Sequence, residues 1–402
     1  MIKSSLLLGI GIPRSFVLVC TVFRVALAGA GARLRRMEQH AHSLPHWAAP
    51  QEAGFAAEAL ATALRFAQDN DSAMDRDIGQ ALRAGHFGEP MPLGAPIGPS
   101  TPRGGPAGVI LRGGKVAAQW GDPARVDMSF SISKSYLALL AGIAVQDGLI
   151  SDLDAPVSAQ IDSPHFDSPQ NRPITWAQLL QLTSEWQGEL WGKPDWIDHY
   201  RDLSATGERP PIGTRHPLQS PGSFWEYNDV RVNALALALT LLFGRALPEL
   251  LKERILDPIG ASDSWAWHGY DNSYVEIDGH QVQSVSGGAH WGGGLWMSSL
   301  DHAQVGQLML QGGAWQGAQI IDAAWVEACR APCPLNRNYG LLWWLNTGGA
   351  QFPGASEASY FALGVGSQII WIDPEADMVV VARWVEKSAL PEFIRQVTAA
   401  HS

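Results

Sequence analysis

Apolar residues recur at helical spacing in PQEAGFAAEALATALRFAQDN (50–70), which predicts a helix near the start of the folded chain. PAGVILRGGKVAAQWG (106–121) then offers two short apolar runs around Gly113-Gly114, a hairpin signal. SFSISKSYLALLAGIAVQDGL (129–149) reads as a helix through about Gly148 that is apolar almost all round. Helices and Pro/Gly loops follow, with helical patterns in ITWAQLLQLTS (174–184), VRVNALALALTLLFG (230–244) and LPELLKERIL (247–256). Strand character returns in YGLLWWLN (339–346) and in SQIIWIDPEADMVVVARWV (367–385), a hairpin turning at DPEAD. ALPEFIRQVTAA closes the chain as a helix. No internal repeat or low-complexity segment interrupts this order.

β-Structure therefore lies toward both ends, with a mostly helical block between. The arrangement it predicts is of α/β (α+β) type. One antiparallel sheet is built from 37–150 and 285–402 and flanked by helices, and a mostly helical subdomain spans 151–284. A cleft is expected where the two halves of this single domain (37–402) meet.

Bulk properties narrow the function. The chain has 402 residues, 46% of them hydrophobic, enough for a sizeable core. Its net charge is −11, and Lys and Arg cluster only at RLRR (33–36), which argues against nucleic acid or an anionic membrane as partner. Three cysteines (Cys20, Cys329, Cys333) give no disulfide framework, and no paired Cys or His completes a metal site. Residues 1–36 are read as outside the fold. SFVLVCTVF (15–23) is too short to span a bilayer, so the segment is either a signal peptide or lies upstream of a start at Met37. The first reading implies a periplasmic or secreted protein, the second a cytoplasmic one.

The candidate chemistry begins at Ser131 and Lys134. Residues three apart share a helix face, so the hydroxyl and the ammonium come within hydrogen-bond reach. A serine needs something to accept its proton, and unpaired amides at a helix start favour the negative charge that results. A serine N-cap with a lysine one turn on fits the same residues, although a helix apolar all round leaves a lysine without an obvious purpose. In PGSFWEYNDVRVNALALAL (221–239), Tyr227 precedes Asn228, Asp229 and another apolar helix. A buried ammonium beside a phenol favours the phenolate, which can take and return a proton. A loop-anchoring role for Tyr227 also fits. In YFALGVGSQIIWIDP (360–374), Gly364 and Gly366 permit close approach to a strand edge, or simply mark a bulge.

Taken in order, these stretches resemble the class C β-lactamase-related serine hydrolases, a family with carboxylesterases, D-amino-acid peptidases and 6-aminohexanoate-dimer hydrolase among its members. The resemblance runs over roughly 45–395 and includes ITWAQLLQLTSEW and GGGLWMSSLDHAQVGQLMLQGG (292–313). It implies that Ser131 is the acylated nucleophile, Lys134 its charge partner and Tyr227 the general base and acid. The amides of Ser131 and Val365 would form the oxyanion hole, and Asp229, Gly364 and Gly366 are candidate supporting residues of the site. Trp186 and Trp291 are candidate pocket walls.

Two departures stand out. Asp229 replaces the asparagine of the family's Tyr-x-Asn, and Ala362 replaces the Lys or His of its third motif. The second change disfavours an anionic β-lactam and points to a neutral small-molecule ester or amide, with no metal or organic cofactor implied. A β-lactamase or D-amino-acid peptidase, and a non-catalytic binding or sensor module, are the rival readings. No Gly-x-Ser-x-Gly elbow supports an α/β-hydrolase.

Overall fold

The computed structural model describes residues 46–201 and 209–401. The leader read at 1–36, and Cys20 within it, lie outside them.

In chain order the principal elements are α1 (Ala57–Asp69), β1 (Ala107–Arg112), β2 (Lys115–Trp120), β3 (Asp127–Met128) and α2 (Ile132–Gln146). Next come α3 (Asp229–Phe243), β4 (Ala266–Ile277), β5 (His280–Val285), β6 (Gly294–Met297) and α4 (Ser299–Leu310). The chain finishes with β7 (Trp344–Leu345), β8 (Tyr360–Gly364), β9 (Gln368–Asp373), β10 (Met378–Arg383) and α5 (Leu390–Ala399).

The main sheet is antiparallel, in the order β7-β8-β9-β10-β1-β2. It joins a hairpin from the start of the chain to strands from its end, as the pattern predicts. Gly113 and Gly114, at φ 56° and 69°, make the first hairpin's turn. Because side chains alternate across a strand, each face of the sheet holds its own core. Ile110, Phe361, Ile369 and Val380 pack with α1 and α5 through Leu60, Ala63, Phe393 and Val397. On the opposite face Val109, Ala362, Ile370 and Val381 join the larger core that encloses α2 and α3. Both of these helices are apolar all round because both are surrounded: Ile132 to Ala144 and Asp229 to Thr240 are buried.

Capping fixes where the second helix starts. Asn228 accepts from the amides of Val230 (3.0 Å) and Arg231 (3.2 Å), and Gly244 ends α3 at φ 65°. That places Tyr227 just ahead of the helix, on the side of α2.

The structure differs from the pattern in three places. The block 151–284 carries the hairpin β4–β5, which continues into a second sheet, β3-β6-β4-β5. Its first strand is interrupted by a register shift between Gly269 and Tyr274, so its alternation is broken where HGYDNS runs. YGLLWWLN contributes only the two-residue β7, whereas YFALG forms a full strand, β8. The helix in ITWAQLLQLTS is confined to Trp176–Leu180, and Leu182 beyond it turns to φ 59°. Among the described residues no single helix is long and apolar enough to cross a membrane.

Candidate active site

β3 pairs with β6, and the Ser129 amide donates to the Leu295 carbonyl (2.7 Å), so the chain reaches the head of α2 already anchored. Phe130 then takes φ 47°, uncommon for a bulky residue, and Ser131 occupies the N-cap position. Its hydroxyl caps nothing. It accepts instead from Lys134 Nζ at 2.9 Å. Ser131 is half-buried, while Lys134 is only 1% exposed.

The neighbouring serines have other tasks. Ser133 Oγ donates to the Phe130 carbonyl (2.7 Å) and accepts from the Leu295 amide (3.0 Å). Ser135 Oγ donates to the Leu342 carbonyl (2.8 Å). Ser129 shares a hydrogen bond with His302 Nε2 (2.7 Å), and His302 Nδ1 shares another with the Tyr136 hydroxyl (2.8 Å). This chain of three is sealed in the interior, where burial pushes His302 well below the usual imidazole range and Tyr136 well above the usual phenol range. A serine that no solvent or substrate reaches is structural. Of the four serines, Ser131 alone is incompletely buried.

A buried ammonium needs a counter-charge, and Asp229 supplies it at 2.6 Å from Lys134 Nζ. Arg201 reaches the same carboxylate oxygen at 3.1 Å. Burial alone would raise the Asp229 carboxyl, but Arg201 and Lys134 hold it below the usual carboxylate range. Asp198 accepts from the Asp229 amide and pairs with Arg201 at 2.7 Å. Its own carboxyl is pushed up to about 6 by burial, against the pull of Arg201. Gly288 closes this cluster: a Cβ there would lie 2.1 Å from Asp229 Oδ2 and 2.4 Å from Lys134 Nζ. Only glycine leaves room for the ion pair.

Tyr227 is 5% exposed and stands over the same ammonium, with Lys134 Nζ 4.7 Å from its ring centroid. Trp344 stacks on it (5.7 Å between centroids, 28°), and Tyr339 meets it edge-on at 6.4 Å. Lys134 is thus the hinge of the site, in contact with the serine hydroxyl, the Asp229 carboxylate and the tyrosine ring.

Gly364 ends β8 against the turn that carries Ser131. A Cβ there would lie 2.4 Å from the Ser129 carbonyl oxygen and 3.4 Å from the Ser131 nitrogen. Val365 begins the turn into β9, and Gly366 (φ 76°) lies so close to the Trp384 ring that a Cβ would stand 2.2 Å from it. The backbones of Ser131 and Val365 therefore belong to one small region, with Ala362 fully buried on the strand before it. Trp186 and Trp291 sit deeper. Trp186 is completely buried, donating its indole N–H to the His165 carbonyl at 2.9 Å, and Trp291 is buried beneath Lys193 Nζ at 5.1 Å.

Sequence reasoning missed Arg201, Trp344 and Gly288. Arg201 is separated from Asp229 by 28 positions in the chain, with no periodic signal joining them. Two further clusters place metal-type ligands together: His199, His216 and Glu226; and Glu89, Asp198 and His290. Each already has a guanidinium beside it. Arg231 pairs with Glu226 at 3.2 Å and Arg201 with Asp198, so one carboxylate of each cluster already meets a cation of the protein.

Comparison with known proteins agrees with this architecture. The chain is 23% identical to 6-aminohexanoate-dimer hydrolase from Paenarthrobacter ureafaciens over 277 residues, 65% of this chain and 60% of that one. It therefore spans less than two thirds of that relative's length. Among solved structures, EstCE1, a hydrolase with promiscuous acyltransferase activity, superposes with a TM-score of 0.53 at 15% identity, covering 85% of this chain and 98% of the other. A β-lactamase from Mycobacterium bovis gives 0.51 at 18%, covering 74% and 94%. At such identities the likeness is one of fold. A sequence profile of the β-lactamase family matches residues 102–388, more than half of the chain, and by that match the chain belongs to the β-lactamase family.

Proposed function

We propose that the protein is a serine hydrolase that cleaves a neutral carboxylic ester or amide through an acyl-enzyme. The supporting observation is the contact of one buried ammonium with both partners: Lys134 Nζ lies 2.9 Å from Ser131 Oγ and 4.7 Å from the Tyr227 ring centroid. In this reading Tyr227, as phenolate, takes the Ser131 proton while Oγ attacks the substrate carbonyl. The amides of Ser131 and Val365 hold the resulting oxyanion. When the tetrahedral species collapses, Tyr227 returns the proton to the departing alcohol or amine. Water then attacks the acyl-enzyme by the same route, losing its proton to Tyr227, and the acid leaves as Ser131 recovers its hydrogen.

The Asp229 carboxylate, 2.6 Å away, is the counter-charge of Lys134 in this route. The positions of Asp229 and Ala362 favour this route over that of a β-lactamase. Ala362 is fully buried and presents neither charge nor polar group to a substrate carboxylate. Trp344, half-buried and stacked on Tyr227, extends an apolar surface beside the site instead.

Steady-state turnover of p-nitrophenyl butyrate, a butyryl anilide and a chromogenic cephalosporin separates the readings. The ester or the anilide is expected to exceed the cephalosporin in kcat/KM by about tenfold or more, the worth of roughly one lost charged contact. Preferred turnover of the cephalosporin would reverse the assignment in favour of a β-lactamase.

A further inference from the structure

Arg201 lies outside every short motif in the chain, yet it enters the site from a separate segment. Its guanidinium pairs with Asp198 at 2.7 Å and Asp229 at 3.1 Å, and Arg201 Cζ stands 5.7 Å from the Tyr227 ring centroid. Tyr227 therefore has two cations near its ring, Lys134 and Arg201. The two also share one Asp229 oxygen.

This sharing matters because Asp229 carries a single negative charge. With Lys134 alone, the ion pair would be locally neutral and would do little to favour a phenolate or to polarise the serine. A second cation on the same oxygen divides that carboxylate between two partners, so the ammonium that contacts both groups is less fully neutralised, while Asp198 balances the guanidinium. We propose that Arg201 is a positioning residue of this site: by sharing Asp229 with Lys134 it keeps the ammonium's charge available to Ser131 and Tyr227, and it sets the pH at which Tyr227 can accept the serine proton. The inference rests on the acyl-enzyme reading given above.

Charged and titratable groups reach the pair from several elements. Lys134 comes from α2, Asp229 from α3 and Asp198 from the segment that carries Arg201; Tyr339 lies across the Tyr227 ring. His290 Nδ1 stands 3.9 Å from Asp229 Oδ2, and Glu89 pairs with the other nitrogen of that imidazole. Burial works against the Arg201 charge, but Asp198 and Asp229 more than offset this and keep the guanidinium protonated.

The sign follows from the proton's direction. Tyr227 accepts a proton only as phenolate, so the reactivity of Ser131 rises with pH through the tyrosine's ionisation. Removing a cation that favours phenolate moves that rise to higher pH. The second-order rate of fluorophosphonate labelling at Ser131, measured from acid to alkaline pH, reads it directly. Arg201→Gln, which keeps hydrogen-bonding capacity but no charge, is expected to move the half-maximal pH upward by about one unit, as a cation lost at this range would. Arg201→Lys is expected to restore the wild-type position. A glutamine variant whose profile overlays the wild type, or a lysine variant shifted as far as the glutamine one, overturns the inference.

Should Arg201→Gln not fold, Asp198→Asn tests the same circuit with the opposite sign. Arg201 then has only Asp229 to neutralise, and the half-maximal pH is expected to fall; an unmoved or raised profile counts against the proposal. Failure of the underlying reading is distinguishable, since wild-type protein would then show no label on Ser131 at any pH.

Discussion

Around Lys134 the same residue type is used in two ways. Ser129, Ser133 and Ser135 are buried and spend their hydroxyls on neighbouring groups, whereas Ser131 keeps its hydroxyl for the ammonium. Ser129→Ala should therefore leave fluorophosphonate labelling intact, while losing stability by about 1–3 kcal/mol because His302 forfeits a buried partner. Chemical denaturation alongside labelling checks both parts. Tyr227→Phe keeps the ring over Lys134 but removes the proton carrier, and kcat is expected to drop by about 10²–10⁴-fold, the usual worth of a general acid–base. An ester assay on the folded variant decides it; unchanged kcat would assign Tyr227 to packing. Ser131, Lys134 and Tyr227 were legible in the chain because each sits at the head of an apolar helix, a local pattern. Arg201 was not, since Asp229, the partner that ties it to Lys134, lies 28 positions further along the chain.

At the scale of elements, the site depends on backbones that approach closely. β8 ends against the turn that carries Ser131 only because position 364 has no side chain, and Gly288 lies against the Lys134–Asp229 pair for the same reason. Gly288→Ala places a methyl group within 2.1 Å of Asp229 Oδ2, so the ion pair must separate or the loop must move. Overpacking of this kind costs about 1–3 kcal/mol. Because it acts on the cation itself, the labelling rate should fall even at temperatures where the variant stays folded. Thermal unfolding paired with labelling kinetics separates the two effects, and an alanine variant that labels at the wild-type rate would refute the close packing. Hairpins with clear alternation and glycine turns, such as β1–β2, could be read in advance. β4–β5 could not, although Asp278-Gly279 marks its turn, because the shifted register around HGYDNS hides the two-residue period.

The whole molecule places its charges unevenly between states. Burial pushes the Glu89 carboxyl up to about 7, against the pull of Arg201. A carboxyl whose folded value is raised holds its proton where the unfolded chain has lost it, so this group costs stability as pH climbs from about 4.5 through 7. Glu89→Gln removes that cost. Its melting temperature relative to wild type should rise across this window and level off above it. A difference that stays flat, or falls, would show that Glu89 ionises normally in the fold.

The broad architecture was legible because both ends of the chain carry strand patterns that only one shared sheet could satisfy, with buried helices between them. The register that sets Gly364 beside Ser131 was not, since it arises from contacts between residues more than 230 positions apart. Whether that convergence makes Ser131 a nucleophile is measured most directly by intact-mass analysis after exposure to a fluorophosphonate probe. The account predicts a single adduct on the wild-type chain, located at Ser131 by peptide mapping and missing from Ser131→Ala. A wild-type chain that takes no label, or a Ser131→Ala chain labelled as fully as wild type, would contradict it.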